Sequence, residues 1–118
     1  QVSENRNNGN FVMSIAGWSP DYNDPMTFLD LWVTGGGNNQ TGWGNEEYDS
    51  LIEQATNELD VEARQEMFYR CEEILFEEYP ILPTYRRAGS YSYNTDKIVG
   101  GERITTFQTK FFWAEVAG

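Results

Sequence analysis

Two carboxylates, Asp21 and Asp24, stand three residues apart in the run Gly17-Trp18-Ser19-Pro20-Asp21-Tyr22-Asn23-Asp24-Pro25. Paired carboxylates can divide general acid and base work, as in glycoside hydrolysis. The second of these is better used as a helix cap, because proline follows it directly and favours the first helical turn. Asp21 sits in a turn-rich loop, where an aspartate is first of all a turn residue. That loop also follows a strand-like run, the place where open α/β sheets put ligand-binding groups. Trp18 and Tyr22 flank Asp21 with rings able to desolvate it in part. A carboxylate held that way would recognise a cationic group, such as a free α-amine, through charge-assisted hydrogen bonds.

The remaining chemistry is sparse. The loop Gly35-Gly36-Gly37-Asn38-Asn39-Gln40-Thr41-Gly42-Trp43-Gly44 lacks the lysine of a phosphate-binding P-loop and the strand–loop–helix order of a dinucleotide site, so it reads as a flexible connection. Its amides and Trp43 remain able to approach a ligand's main chain. With no histidine and a single cysteine, Cys71, a zinc site is not expected, and triads that use histidine as base are excluded. Cys71 falls on the apolar stripe of a helix and reads as a buried structural thiol. Arg86-Arg87 is a small basic spot without interleaved aromatics, a local charge partner. No cofactor is called for.

These residues need a frame, and 118 residues suffice for one compact domain with a single core. Apolar residues are only 39% of the chain but aromatics reach 15%, far above what a disordered segment carries, so an ordered chain is expected. The formal charge of −11 would repel a phosphate backbone or an anionic membrane surface, which argues against nucleic acid as a partner. The acid is concentrated: Glu46 to Glu78 holds twelve Asp and Glu against Arg64 and Arg70, which suits the solvated face of helices. The polar start, Gln1-Val2-Ser3-Glu4-Asn5, lacks a basic-then-apolar signal and reads as a cut inside a longer protein.

Along the chain, Phe11–Ala16 predicts a buried strand, and a short helix through Phe28, Leu29 and Trp32 follows Asp24-Pro25. Asn45 predicts the cap of a helix with Tyr48, Leu51, Ile52 and Ala55 on one face. Asp60 predicts the cap of a longer one. Its stripe is Val61, the stem of Arg64, Met67, Phe68, Cys71, Ile74, Leu75 and Tyr79, and Pro80 stops it. Ile81–Arg87 and Ser90–Tyr93 predict strands, and Ile104–Val116 an extended C-terminus. The order suits a mixed α/β lobe. One partial domain over 1–118 is expected, with a ligand-loop segment at 17–45, a helical pair at 46–79 and strands at 81–116.

At this point the run Gly17-Trp18-Ser19-Pro20-Asp21-Tyr22-Asn23-Asp24-Pro25-Met26-Thr27-Phe28-Leu29 resembles the Gly-Trp-x-x-Asp-Tyr-x-Asp/Glu-Pro-x-x-Phe-Leu signature of extracellular solute-binding proteins of the oligopeptide/dipeptide type. The resemblance continues in order through Asn39, through Tyr48-Asp49-Ser50-Leu51-Ile52, and through Arg64, Tyr69, Glu73, Ile74 and Leu75. Its last motif is Tyr79-Pro80-Ile81-Leu82-Pro83-Thr84-Tyr85, and the resemblance as a whole covers Phe11 to about Gly100. It implies a C-terminal lobe portion of a two-lobed, type II periplasmic-binding-protein-like α/β fold, a mixed sheet with flanking helices that closes on its ligand by a hinge. It further implies a non-catalytic, extracytoplasmic receptor, lipid-anchored or free, that captures peptides for the permease subunits of an ABC importer. The other lobe would be needed for binding.

By position, the resemblance implies that Asp21 pairs with a peptide's α-amine while Trp18 and Ser19 line the same pocket. Tyr22 and Asn39 join them as expected ligand contacts. Family members also bind nickel complexes and oligosaccharides, so an oligosaccharide receptor using Trp18, Trp32 or Trp43 as stacking platforms stands as an alternative. A glycoside hydrolase fragment using Asp21 stands further off.

Overall fold

The computed structural model describes residues 2–86, 92, 94, 96–100, 102–103, 109–110 and 115–116. The first element is a helix the sequence reading does not foresee, α1 (Val2–Asn7), with Glu4 in its first turn and Arg6 in its last. That charge order favours a helix through its dipole even where no apolar stripe announces one. The run Phe11–Ala16, expected as a buried strand, forms none: Val12, Met13 and Ile15 are exposed at 105%, 86% and 88%. A strand exists only against a neighbour that completes its ladder. All described strands lie between Ile98 and Val116, and none pairs with this run.

Met26–Leu29 is α2, continued as a 3-10 turn over Asp30–Trp32. The Asp24 carboxylate accepts from the Met26 amide at 2.9 Å, which is the capping role expected of it. Asn45 starts α3 (Glu46–Asn57), its side chain accepting from the Tyr48 amide at 3.0 Å. Asp60 starts α4 (Val61–Glu78) by accepting from the Glu62 and Ala63 amides at 3.0 and 2.9 Å. α4 stops at Tyr79, which takes a left-handed conformation (φ 52°) and donates its amide to the Leu75 carbonyl at 3.0 Å. Proline follows and prevents continuation.

Where α2, α3 and α4 meet, Met26, Leu29, Tyr48, Ile52, Ala55, Phe68, Cys71, Ile74 and Leu75 form the core. Large aliphatic and aromatic side chains buried in this way contribute about 1.5–3 kcal/mol each. Val61 and Tyr79, expected on the buried stripe of α4, are exposed. They lie at the ends of a helix longer than its partner: at ~1.5 Å per residue, α4 outruns α3 by about two turns. No described helix is long and apolar enough to cross a membrane.

The chain forms two compact units. One comprises Gln1–Trp18 and Asp24–Pro83; the other comprises Ser19–Asn23 and Thr84–Gly118. The helices and the core belong to the first. In the second, β1 (Ile98–Val99) pairs antiparallel with β4 (Glu115–Val116), and β2 (Glu102–Arg103) with β3 (Thr109–Lys110). The registers are Ile98↔Val116 in the first pair and Glu102↔Lys110 in the second. Residues 81–86, expected as part of a strand, form none, and Arg87 lies outside the described residues. The expected strand at Ser90–Tyr93 and much of the extended 104–116 segment also lie outside them. The fold is an α/β fragment of helices and a small sheet.

Candidate functional site

The loop that carries Asp21 leaves the helical unit after Trp18 and rejoins it at Asp24. Of the expected ligand residues, Trp18 and Asn39 fall in the helical unit, and Ser19, Asp21 and Tyr22 fall in the second. Trp18, Ser19, Asp21 and Tyr22 are exposed and Asn39 is half-buried. The backbone bends continuously from Asp21 to Asp24, as its Asp, Asn and Pro content predicts.

The rejoining point is held tightly. Asp24 Oδ2 accepts from Arg64 Nη1 at 2.7 Å and Asp24 Oδ1 from Arg64 Nη2 at 3.1 Å, a two-pronged ion pair. Arg64 Nε donates to the Ala55 carbonyl in the last turn of α3 at 2.8 Å. Its guanidinium carbon lies 4.6 Å from the centre of the Phe68 ring. The hydrogen bond from Arg64 holds the Asp24 carboxyl below the ordinary carboxylate value, against the opposing pull of burial. Asp24 is therefore committed as a cap and as one half of an ion pair, which removes it as an acid/base partner for Asp21. The sequence shows the cap, a local signal. The partner, forty residues away, has no signature beyond the presence of an arginine on a helix face.

Asn39 has a structural use that the sequence does not reveal. Its Nδ2 lies 3.0 Å from the Trp32 carbonyl, 3.1 Å from that of Val33 and 2.9 Å from that of Trp43. Its Oδ1 accepts from the Thr41 hydroxyl at 2.7 Å and, at 3.3 Å, from the Thr41 amide. The side chain thus pins the glycine loop back on the end of the 3-10 turn. Gly42 takes φ 74°, open to glycine at no steric cost, and a Cβ on Gly44 would lie 2.6 Å from Thr34 Oγ1. Thr34 in turn donates its amide to Asp49 Oδ1 at 2.9 Å, tying the loop to α3.

Trp43 is fixed within this frame. Its indole N–H donates to Glu78 Oε2 at 2.6 Å and its ring meets Tyr48 edge-on, with centroids 5.2 Å apart. Asn45 donates to the other oxygen of Glu78 at 2.6 Å. Tyr48 is fully buried, and its hydroxyl donates to the Leu29 carbonyl at 2.6 Å. Burial holds that phenol protonated, well above its ordinary value. Cys71 is buried as expected, and burial, with Glu47 adding to it, pushes its thiol up to about 11. Among the described residues no cluster of three or more Cys, Asp or Glu is placed to hold a metal ion.

No protein-family model matches the chain. Individual proteins do. The chain is 47% identical over 75 residues to the dipeptide-binding protein DppE of Bacillus subtilis, which is 64% of this chain and 14% of that protein. It is 40% identical over 83 residues to the periplasmic murein peptide-binding protein MppA of Escherichia coli, covering 70% of this chain and 16% of that one. Among solved structures it resembles the substrate-binding domain of an oligopeptide ABC transporter from Bacillus anthracis, with TM-score 0.80 at 30% identity. That match covers 98% of this chain and 23% of the other. The chain thus spans less than a quarter of the length of each of these proteins.

Proposed function

This chain is homologous to a segment of the oligopeptide- and dipeptide-type solute-binding proteins, and from that premise we propose that it contributes the amine-recognition loop of an extracytoplasmic peptide receptor. The receptor captures peptides and hands them to the permease subunits of an ABC importer; it is not an enzyme. Asp21 pairs with the α-amine of the bound peptide, and Trp18, Ser19 and Tyr22 form the surrounding wall. Asn39 acts on the ligand only through the loop it holds.

The observation that carries the reading is the Trp18–Pro25 loop itself. It carries an exposed aspartate, Asp21, with exposed aromatic residues close by in sequence at Trp18 and Tyr22. The identity with proteins named for peptide binding supports it. An ammonium facing such a carboxylate gains a charge-assisted bond, and the aromatic walls lower the local dielectric and strengthen it. Affinity beyond that bond comes from peptide main-chain contacts and closure of the two lobes, so side-chain selectivity is loose.

The test uses a chimera in which this chain replaces the matching segment of DppE. Calorimetric titration with a free-amine tripeptide and its N-acetylated form should show Asp21→Asn weakening the first far more than the second. Equal loss on both peptides would end the amine-pairing assignment. Tight binding of an oligosaccharide with no peptide binding would end the peptide reading.

A further inference from the structure

Arg64 reads in the sequence as a residue whose stem fills out an apolar stripe. In the structure its head makes three side-chain hydrogen bonds and a ring contact that together reach outside α4. The two prongs go to Asp24, Nε goes to the C-terminal turn of α3, and the cationic plane lies against Phe68. Asp24 is also the residue at which the Asp21 loop returns to the helical unit, and its carboxylate and carbonyl receive the Met26 and Thr27 amides. One guanidinium therefore ties the loop's return point to α3 and α4 at once.

We propose that Arg64 is a positioning residue for ligand recognition: through Asp24 it fixes where the Asp21 loop is anchored, without touching the ligand. The inference rests on the reading of Asp21 as the amine anchor. Only Tyr22 and Asn23 lie between Asp21 and Asp24, so the point at which Arg64 holds the chain is at most ~10 Å of backbone from Asp21. A recognition group must be held within about 0.5 Å of its productive position for its charge-assisted bond to keep its strength. Arginine is required because a single planar fork meets the carboxylate in two places while a third N–H reaches the α3 carbonyl. A lysine ammonium is a point charge and cannot do all three at once.

The experiment uses the DppE chimera with Arg64→Gln, Arg64→Lys, Asp24→Asn and the Arg64→Gln/Asp24→Asn double variant, each titrated with the free-amine and N-acetylated tripeptides. Asp24→Asn keeps an oxygen for the Met26 cap and removes only the charge, so it carries the test if Arg64→Gln fails to fold. Each single variant should lose about tenfold on the free-amine peptide and less than about threefold on the acetylated one. The double variant should lose no more than the worse single, because both changes break one pair. Arg64→Lys should recover only part of the loss. A purely structural role would lower the melting temperature and leave the ratio between the two peptides unmoved, and that result overturns the proposal. If Asp21→Asn itself fails to change the ratio, the amine-anchor reading fails. If Asp21→Asn changes it and Arg64→Gln and Asp24→Asn do not, the positioning role alone fails.

Discussion

Tyr48→Phe removes one oxygen from the centre of the core and nothing else. In the native chain that hydroxyl donates to the Leu29 carbonyl at 2.6 Å, inside a side chain with no exposed surface. Phenylalanine keeps the ring, and with it the edge-on contact to Trp43 at 5.2 Å. The carbonyl, on a residue only 5% exposed, loses a partner that water cannot readily replace. The cost of leaving a buried acceptor short of a donor is about 1–3 kcal/mol, and retention of the ring's apolar burial places this change near the lower half, at about 1–2 kcal/mol. For a body of this size each kcal/mol moves the melting temperature by about 4–8 °C. Tyr48→Leu also loses the ring and its aromatic partner, and should cost about 2–4 kcal/mol. Urea unfolding followed by far-UV circular dichroism, which reports mainly on α3 and α4, gives both values. A Tyr48→Phe variant within about 0.3 kcal/mol of the parent would refute the claim that this bond joins α2 to α3.

Three further outcomes follow from the same geometry. Asp24 has its pKa lowered in the folded chain, so its contribution is present above the ordinary carboxylate range and fades as pH falls below it. The stability gap between the parent and Asp24→Asn should accordingly narrow on acidification, and a gap constant from neutral to acid pH would contradict the ion pair. Asn39→Ala should cost about 2 kcal/mol, and Asn39→Asp at least as much, because a carboxylate would face three carbonyls. Loss of peptide binding at unchanged stability would make Asn39 a ligand contact instead. The Cys71 thiol, buried and raised to about 11, should resist a disulfide-exchange reagent at pH 8 in the folded chain and react promptly in urea. Prompt reaction without denaturant would show that α4 opens.

The helical pair was legible because its signals are local. Asn45 and Asp60 announce their caps within three residues, and apolar spacing of three and four places Tyr48, Ile52, Phe68, Cys71 and Leu75 inward. The expected strands at Phe11–Ala16 and 81–86 failed for the converse reason. β-propensity describes a fit to a pleated neighbour, and a run of suitable residues cannot supply that neighbour itself. α1 was missed because a short polar helix has charge order but no apolar period. At the site, residue types alone make Asp21 a turn residue first, and the resemblance of the surrounding motifs is what singles it out as an expected ligand contact. The commitments of Asp24 to Arg64 and of Asn39 to three carbonyls depend on the path of the chain through space, which spacing along the sequence does not encode.

The assignment of Ser19–Asn23 to the second unit means that the polypeptide passes between the units three times, after Trp18, after Asn23 and after Pro83. The two bodies are interleaved in sequence, so no single cut separates them. Truncation after Pro83 would keep the whole helical core and strand five residues without the partners they fold with. Excising the helical core cleanly requires a bypass from Trp18 to Asp24 as well, and that bypass deletes Asp21. A minimal scaffold and a minimal recognition element are therefore different pieces of this chain.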